Sequence, residues 1–175
     1  MKIILISAIL ISLAVSLRAD DLARQELLLT SVRTGDTEVF VVNPVTGDAR
    51  NISRSPKSED RYPCWSPDAR QLAYIRHRDG RQRHRSDLWL ADADGTSSRQ
   101  RTRDIASVQK AAWSPDGRWL AVVGGRVEGD SMTQVWILDP HGAAPPRLLG
   151  DEDFELSPSS GLIWHADGKR IAVVD

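Results

Sequence analysis

The sequence predicts an all-β fold, a β-propeller of four-stranded antiparallel blades with about three blades present. Two observations lead there: a hairpin written three times, and a second strand-turn-strand unit interleaved with it at the same period. The hairpin copies are Tyr62 to Ile75 (Y-P-C-W-S-P-D-A-R-Q-L-A-Y-I), Lys110 to Val123 (K-A-A-W-S-P-D-G-R-W-L-A-V-V) and Gly161 to Val174 (G-L-I-W-H-A-D-G-K-R-I-A-V-V). In each, a Trp ends one apolar run, a polar turn follows, and a second apolar run begins seven residues after the Trp, at Leu72, Leu120 and Ile171. The hairpin tryptophans Trp65, Trp113 and Trp164 stand 48 and 51 residues apart, and the central aromatics of the second unit, Phe40, Trp89 and Trp136, stand 49 and 47 apart. A four-stranded sheet cannot bury both faces alone, so a tandem array of such sheets stacks side by side around an axis. The tryptophans then serve as packing between neighbouring sheets, since large aromatics dominate core energetics.

Before the blades, residues 1–19 read as a secretory signal peptide. Met1-Lys2 supplies the charged start, and the apolar run from Ile3 to Leu17 supplies the hydrophobic core, with cleavage after Ser16 or Ala19. That run has 15 residues, whereas about 20 are needed to span a bilayer. Export without stable membrane insertion is therefore the reading, and an uncleaved anchor is its alternative. No Cys follows the run to accept a lipid.

The remaining segment, 20–175, is one domain by length. An apolar content of 41% supports a packed core. Lys and Arg number 23 against 24 Asp and Glu, so no global field recruits nucleic acid or a membrane surface. Cys64 is the single cysteine, which leaves no disulfide framework. Beside Trp65 in an inner strand, it reads as a buried small hydrophobe and not a nucleophile.

Blades are expected at 27–53, 62–102 and 110–149, with the start of a further one at 161–175. Within the hairpins, Ser114-Pro115-Asp116-Gly117 is type I turn chemistry: Pro presets φ, Asp bonds local backbone N–H groups, and Gly takes the left-handed position. The first copy has Ala69 in place of that Gly, and the third has His165-Ala166 in place of Ser-Pro, so the second copy specifies its turn best. The flanking Val, Ile, Trp and Tyr suit strands. The interleaved unit runs through Thr37 to Ser53, Ser86 to Thr102 and Thr133 to Leu149, each a short strand, a Gly-containing turn and a shorter, more polar strand.

W-S-P-D-G-R-W-L-A-V-V, together with Ser31-x-Arg33-x-Gly35 leading to Glu38-Val39-Phe40 and Asp87-Leu88-Trp89 leading to Asp92-Ala93-Asp94-Gly95, resembles the WD-like repeats of TolB-type propellers across 27–175. The same repeat occurs in propellers that precede prolyl oligopeptidase-type hydrolase domains. The resemblance implies a six-bladed ring with an α/β domain ahead of it. Only Asp20 to Glu26 separate the expected export signal from the first expected strand, so neither that α/β domain nor a hydrolase domain is expected within these residues. Thirteen strands are expected, in sets of three, four, four and two, which is about half of such a ring. The expectation is a partial ring, either a truncated product or one that closes by self-assembly, because open sheet edges invite pairing with another chain.

Between the second and third strands of the first full blade, Arg76 to Ser86 reads R-H-R-D-G-R-Q-R-H-R-S. Arg76, Arg78, Arg81, Arg83 and Arg85 form the candidate partner- or anion-binding loop, since guanidinium forks match carboxylates and phosphates. A solvated hairpin loop is the plainer reading of the same run. The corresponding loop of the next blade, Gly124 to Met132, does not repeat the basic character, and Asp151-Glu152-Asp153-Phe154-Glu155 forms an acidic connector.

Catalytic, cofactor and metal assignments are none. Gly129-Asp130-Ser131-Met132-Thr133 lacks the last Gly of a nucleophile elbow. His77, His84, His141 and His165 follow no zinc spacing, and Asp92-Ala93-Asp94-Gly95 opens like a calcium loop without its later ligands. Asn51-Ile52-Ser53 matches a glycosylation acceptor but falls in an expected strand. The function read from all this is a non-enzymatic exported scaffold, periplasmic, presenting loops to a protein partner in the cell envelope. One alternative is the propeller portion of a prolyl oligopeptidase-type hydrolase or a polysaccharide lyase; another is a cell-wall or sugar-binding module using exposed Trp.

Overall fold

The computed structural model describes residues 25–78, 86–103, 105–126, 133–150, 156 and 161–174. The signal-peptide segment 1–19, the acidic connector and Arg81, Arg83 and Arg85 lie outside the described residues. Thirteen strands fall into four antiparallel sheets among the described residues. The first holds β1 (Leu27–Ser31), β2 (Glu38–Val42) and β3 (Ala49–Asn51). The second holds β4 (Ser58–Trp65), β5 (Gln71–Arg78), β6 (Ser86–Asp92) and β7 (Ser98–Gln100). The third holds β8 (Ile105–Trp113), β9 (Leu120–Arg126), β10 (Gln134–Leu138) and β11 (Arg147–Leu149), and the fourth β12 (Gly161–Trp164) and β13 (Ile171–Val174). Each strand pairs only with its neighbours in sequence.

The apolar run of β5, Leu72-Ala73-Tyr74-Ile75, shows why the sheets must stack. Side chains alternate across a strand, so Leu72 and Tyr74 point to one face and Ala73 and Ile75 to the other. Leu72 and Tyr74 join Val39, Val41 and Ile52 of the first sheet in one core cluster. Ala73 and Ile75 join Leu120, Val122 and Trp136 of the third sheet in another. Strand β9 repeats the arrangement, with Ala121 and Val123 facing the fourth sheet. Burying each such side chain contributes about 1.5–3 kcal/mol, so neighbouring sheets hold one another. The hairpin tryptophans pack where expected: Trp65 lies against the first of these clusters, Trp113 against the second and Trp164 against the third. Trp164 also donates its indole N–H to the Ala112 carbonyl of the third sheet, at 3.0 Å.

Strands β4, β8 and β12 contact one another in succession and so take corresponding places, nearest the axis. Among the described residues no strand of the fourth sheet packs on the first, and the architecture is a partial propeller. Backbone latches recur between sheets. Asp60 N–H donates to the Thr37 carbonyl at 2.7 Å, and Leu156 N–H donates to the Thr133 carbonyl at 2.8 Å. At the equivalent junction the Ser86 hydroxyl donates to the Val108 carbonyl at 2.6 Å.

Two boundaries differ from the sequence expectation. Strand β4 begins at Ser58 and β8 at Ile105, earlier than 62 and 110, because a bulge in each lets the strand continue past a break in its pattern. The register shifts between Arg61 and Cys64 and between Ala106 and Lys110. Tyr62 and Ser107 sit in these bulges with φ of 54° and 51°, and Pro63 lies where no ladder donor is required. The other difference concerns the basic loop. Strand β5 runs through Arg78 and β6 starts at Ser86, so Arg76 and Arg78 belong to a strand.

Candidate functional site

The repeated hairpin turns define one end of the blades, and their polar groups are internally committed. In the second copy, Ser114 Oγ donates to Asp116 Oδ1 at 2.6 Å and accepts Trp119 N–H at 2.9 Å, while Arg118 N–H donates to Asp116 at 3.1 Å. The first copy makes the same set: Ser66 Oγ to Asp68 at 2.7 Å, Gln71 N–H to Ser66 at 3.0 Å, and Arg70 N–H to Asp68 at 3.1 Å. In the third, His165 Nδ1 replaces the hydroxyl as acceptor, taking Asp167 N–H at 3.2 Å, and Asp167 accepts Lys169 N–H at 2.9 Å. Hydrogen bonds from Ser66 and from the Arg70 amide hold the Asp68 carboxyl below its ordinary range, and the Ser114 hydroxyl and Arg118 amide do the same for Asp116. Ser and Asp in this motif therefore shape a turn.

Position 69 carries the one conformational conflict in the set. Gly117 and Gly168 take φ of 71° and 67°, and Ala69 is held at 55°. An L-residue in that region costs about 1–2 kcal/mol, partly offset by the entropy Gly loses on folding. Ala69→Gly is expected to raise stability by about 0.5–1 kcal/mol, read as a higher urea midpoint with unchanged slope; an unchanged or lower midpoint counts against the strain.

Between the turns of the second and third sheets lies a cleft of about 920 Å³. One wall presents Asp68, Arg70, Gln71 and Asp92; the other presents Trp113, Asp116, Arg118, Trp119, Asp139 and His141. Arg70 is 86% exposed at its side chain and its Nε stands 4.0 Å from Asp68. Trp119 is 38% exposed. Backbone N–H groups of His141 and Ala143 hold the Asp139 carboxylate at 2.7 and 2.8 Å, which keeps its pKa low. The basic residue after each turn recurs as Arg70, Arg118 and Lys169, but the next position is Gln71, Trp119 and Arg170. Trp119 is thus an aromatic that the repeat does not copy. Comparison of these three positions was the available signal for it, and the regular W-S-P-D-G-R-W-L string concealed it.

Of the five candidate arginines, Arg76 and Arg78 lie among the described residues, and their surroundings differ. Arg76 is corrected from loop to interior, with 9% exposure. Its Nε donates to Asp60 Oδ1 at 2.8 Å and its terminal nitrogen to Asp60 Oδ2 at 2.9 Å, to the Ser53 carbonyl at 3.1 Å and to Tyr74 Oη at 3.2 Å. The guanidinium lies over the Trp89 ring at 4.1 Å. Burial opposes its charge, and Asp60 and Tyr74 outweigh that, leaving its pKa raised. With Nε and one terminal nitrogen committed to Asp60 and the ring of Trp89 beneath it, Arg76 serves the interior of the blade. Arg78 pairs with Asp87 at 2.6 Å and donates to Gln100 at 2.7 Å while staying half exposed. Burial pushes the Cys64 thiol up to about 11, so it stays protonated and faces the Ala111 carbonyl at 3.7 Å. In the Asn51-Ile52-Ser53 acceptor, Asn51 bonds Glu38 at 2.6 Å and the Ser53 hydroxyl accepts Val39 N–H at 3.0 Å. Both polar side chains are built into the first sheet. Asp92-Ala93-Asp94-Gly95 closes a turn, with Gly95 N–H donating to the Asp92 carbonyl at 2.9 Å.

No family model matches the chain. Over 110 residues, 62% of the chain, it is 37% identical to the uncharacterized peptidase YuxL of Bacillus subtilis, of which it covers 14%. It is 27% identical over 132 residues, 75% of the chain, to the Tol-Pal system protein TolB of Anaeromyxobacter dehalogenans, of which it covers 29%. The chain thus spans less than a third of either relative. Among solved structures, TolB from Acinetobacter baumannii superposes with a TM-score of 0.65 at 18% identity, over 88% of this chain and 35% of that one. The chain is a partial β-propeller similar to those of TolB proteins.

Proposed function

We propose that this chain is a non-enzymatic, exported protein-binding scaffold whose blade-end loops meet a protein of the periplasm or cell envelope. One observation supports it above the others. The Ser and Asp that recur at fixed spacing beside Trp are spent on one another and on backbone N–H groups in the turns, so the repeat supplies a rigid surface and no nucleophile paired with a base. The likeness to TolB, a protein named for the Tol-Pal system, agrees with presentation of a surface to other proteins. The peptidase relative agrees instead with a propeller attached to a hydrolase.

A photo-crosslinking amino acid placed at Arg118 in cells exporting the full chain tests the scaffold reading. The expected result is one discrete cross-linked protein in the envelope fraction, absent when the probe sits at the buried position Val122. Purified chain is expected to release no nitroaniline from acyl-peptide nitroanilides. Turnover that a single substitution in this chain abolishes would replace the scaffold with an enzyme.

A further inference from the structure

We propose that the cleft between the turns of the second and third sheets is a binding site for a neutral oligosaccharide, with Trp119 as its stacking platform. This goes beyond the scaffold reading and stands or falls separately from it. The lining decides the ligand class. Carboxylates of Asp68, Asp92, Asp116 and Asp139 stand with the guanidinium groups of Arg70 and Arg118 around one cavity of about 920 Å³. An ionised ligand of either sign meets its own charge on some part of that wall, and like-charge contact is unfavourable. A neutral polyol meets acceptors and donors of both kinds and brings no charge to desolvate.

The acceptors are also fixed in place. Asp68 and Asp116 each direct Oδ1 to their own turn hydroxyl and amide, and Asp92 Oδ1 takes the Gln71 side-chain amide at 3.1 Å. These contacts orient one oxygen of each carboxylate; the second oxygens of Asp92 and Asp116 accept no hydrogen bond among the described residues, and that of Asp68 stands 4.0 Å from Arg70 Nε. Preorganised polar groups of this kind lose little freedom when a hydroxyl binds.

Trp119 completes the argument because the turn does not need its ring. Its backbone N–H donates to the Ser114 hydroxyl and its carbonyl accepts Ser114 N–H; the Gln71 backbone does both in the first copy, and the Arg170 carbonyl accepts His165 N–H in the third. The indole contributes a flat apolar face beside hydrogen-bonding groups, the combination that seats the apolar face of a pyranose ring.

Isothermal titration of the purified full chain with cellohexaose and with N-acetylchitohexaose, and with trigalacturonate as the charged comparison, tests the site. At least one neutral hexasaccharide is expected to bind with Kd below about 1 mM. Trp119→Ala is expected to weaken that binding about tenfold or more, with Trp119→Tyr within about threefold of the parent. Arg118→Ser, which leaves the backbone turn contacts intact, is expected to weaken it as well and serves if the Trp119 variant fails to fold. The proposal is overturned if neither neutral sugar binds at about 1 mM, if trigalacturonate alone gives heat, or if Trp119→Ala and Arg118→Ser both bind like the parent.

Discussion

Asp60→Asn is expected to destabilise the fold by about 3–5 kcal/mol, because it strips the charge partner from a largely buried guanidinium. Asp60 is fully buried and the Arg76 side chain is 11% exposed, with Nε and Oδ1 2.8 Å apart. The substitution keeps the shape of the side chain and removes its charge, so Arg76 is left over Trp89 with neutral acceptors, the new amide oxygen, the Ser53 carbonyl and the Tyr74 hydroxyl, in place of a carboxylate. Burial raises the Tyr74 pKa to about 12, so that hydroxyl supplies no compensating charge at neutral pH.

The third sheet does not repeat the pair: Val108 and Gly124 stand 48 residues after Asp60 and Arg76, the spacing of Trp65 and Trp113, and Val108 belongs to the apolar core there. Replacing a buried pair by apolar residues is often near neutral, whereas breaking it is not. Asp60→Val with Arg76→Met is therefore expected to lose much less than the sum of the single changes in a urea-denaturation cycle. A loss below about 1 kcal/mol for Asp60→Asn, or a double variant no better than additive, would show that the pair is solvated in solution.

This pair also marks where sequence reading stopped. Leu72-Ala73-Tyr74-Ile75 and Leu120-Ala121-Val122-Val123 were legible as strands buried on both faces, because apolar residues at consecutive positions admit little else between turn signals. Thirteen strands in sets of three, four, four and two follow from that and from the turn residues. Arg76 was not legible, since its neighbours along the chain are basic and its partners are Asp60, 16 residues back, and Trp89 on the adjacent strand. A run of like charge reads as solvated until the fold brings a carboxylate to one member of it. Trp119 failed for the opposite reason: a regular motif hid an irregular residue, and the cleft it lines requires two sheets to be placed side by side.

Trp136→Ala is the other large expected loss, about 3–5 kcal/mol, as for deletion of a buried aromatic that leaves a cavity. Trp136 is 7% exposed and belongs to the cluster joining Leu88 and Leu90 of the second sheet to Leu120 and Val122 of the third. Its indole N–H donates to the Gly124 carbonyl at 3.1 Å. The counterpart in the second sheet is Trp89, whose buried Nε1 has no partner among the described residues, while Arg76 covers its ring. The two rings occupy the same place in their blades and differ in how the indole is satisfied. Substitution by Phe should separate them. Trp136→Phe removes a donor from a buried carbonyl and is expected to cost about 1 kcal/mol more than Trp89→Phe, which removes an orphan. Urea midpoints of the four variants, Ala and Phe at each position, give the comparison. Equal losses for the two Phe variants would mean that the Gly124 bond contributes nothing, and a loss under about 2 kcal/mol for Trp136→Ala would mean that the second and third sheets are not held by this core.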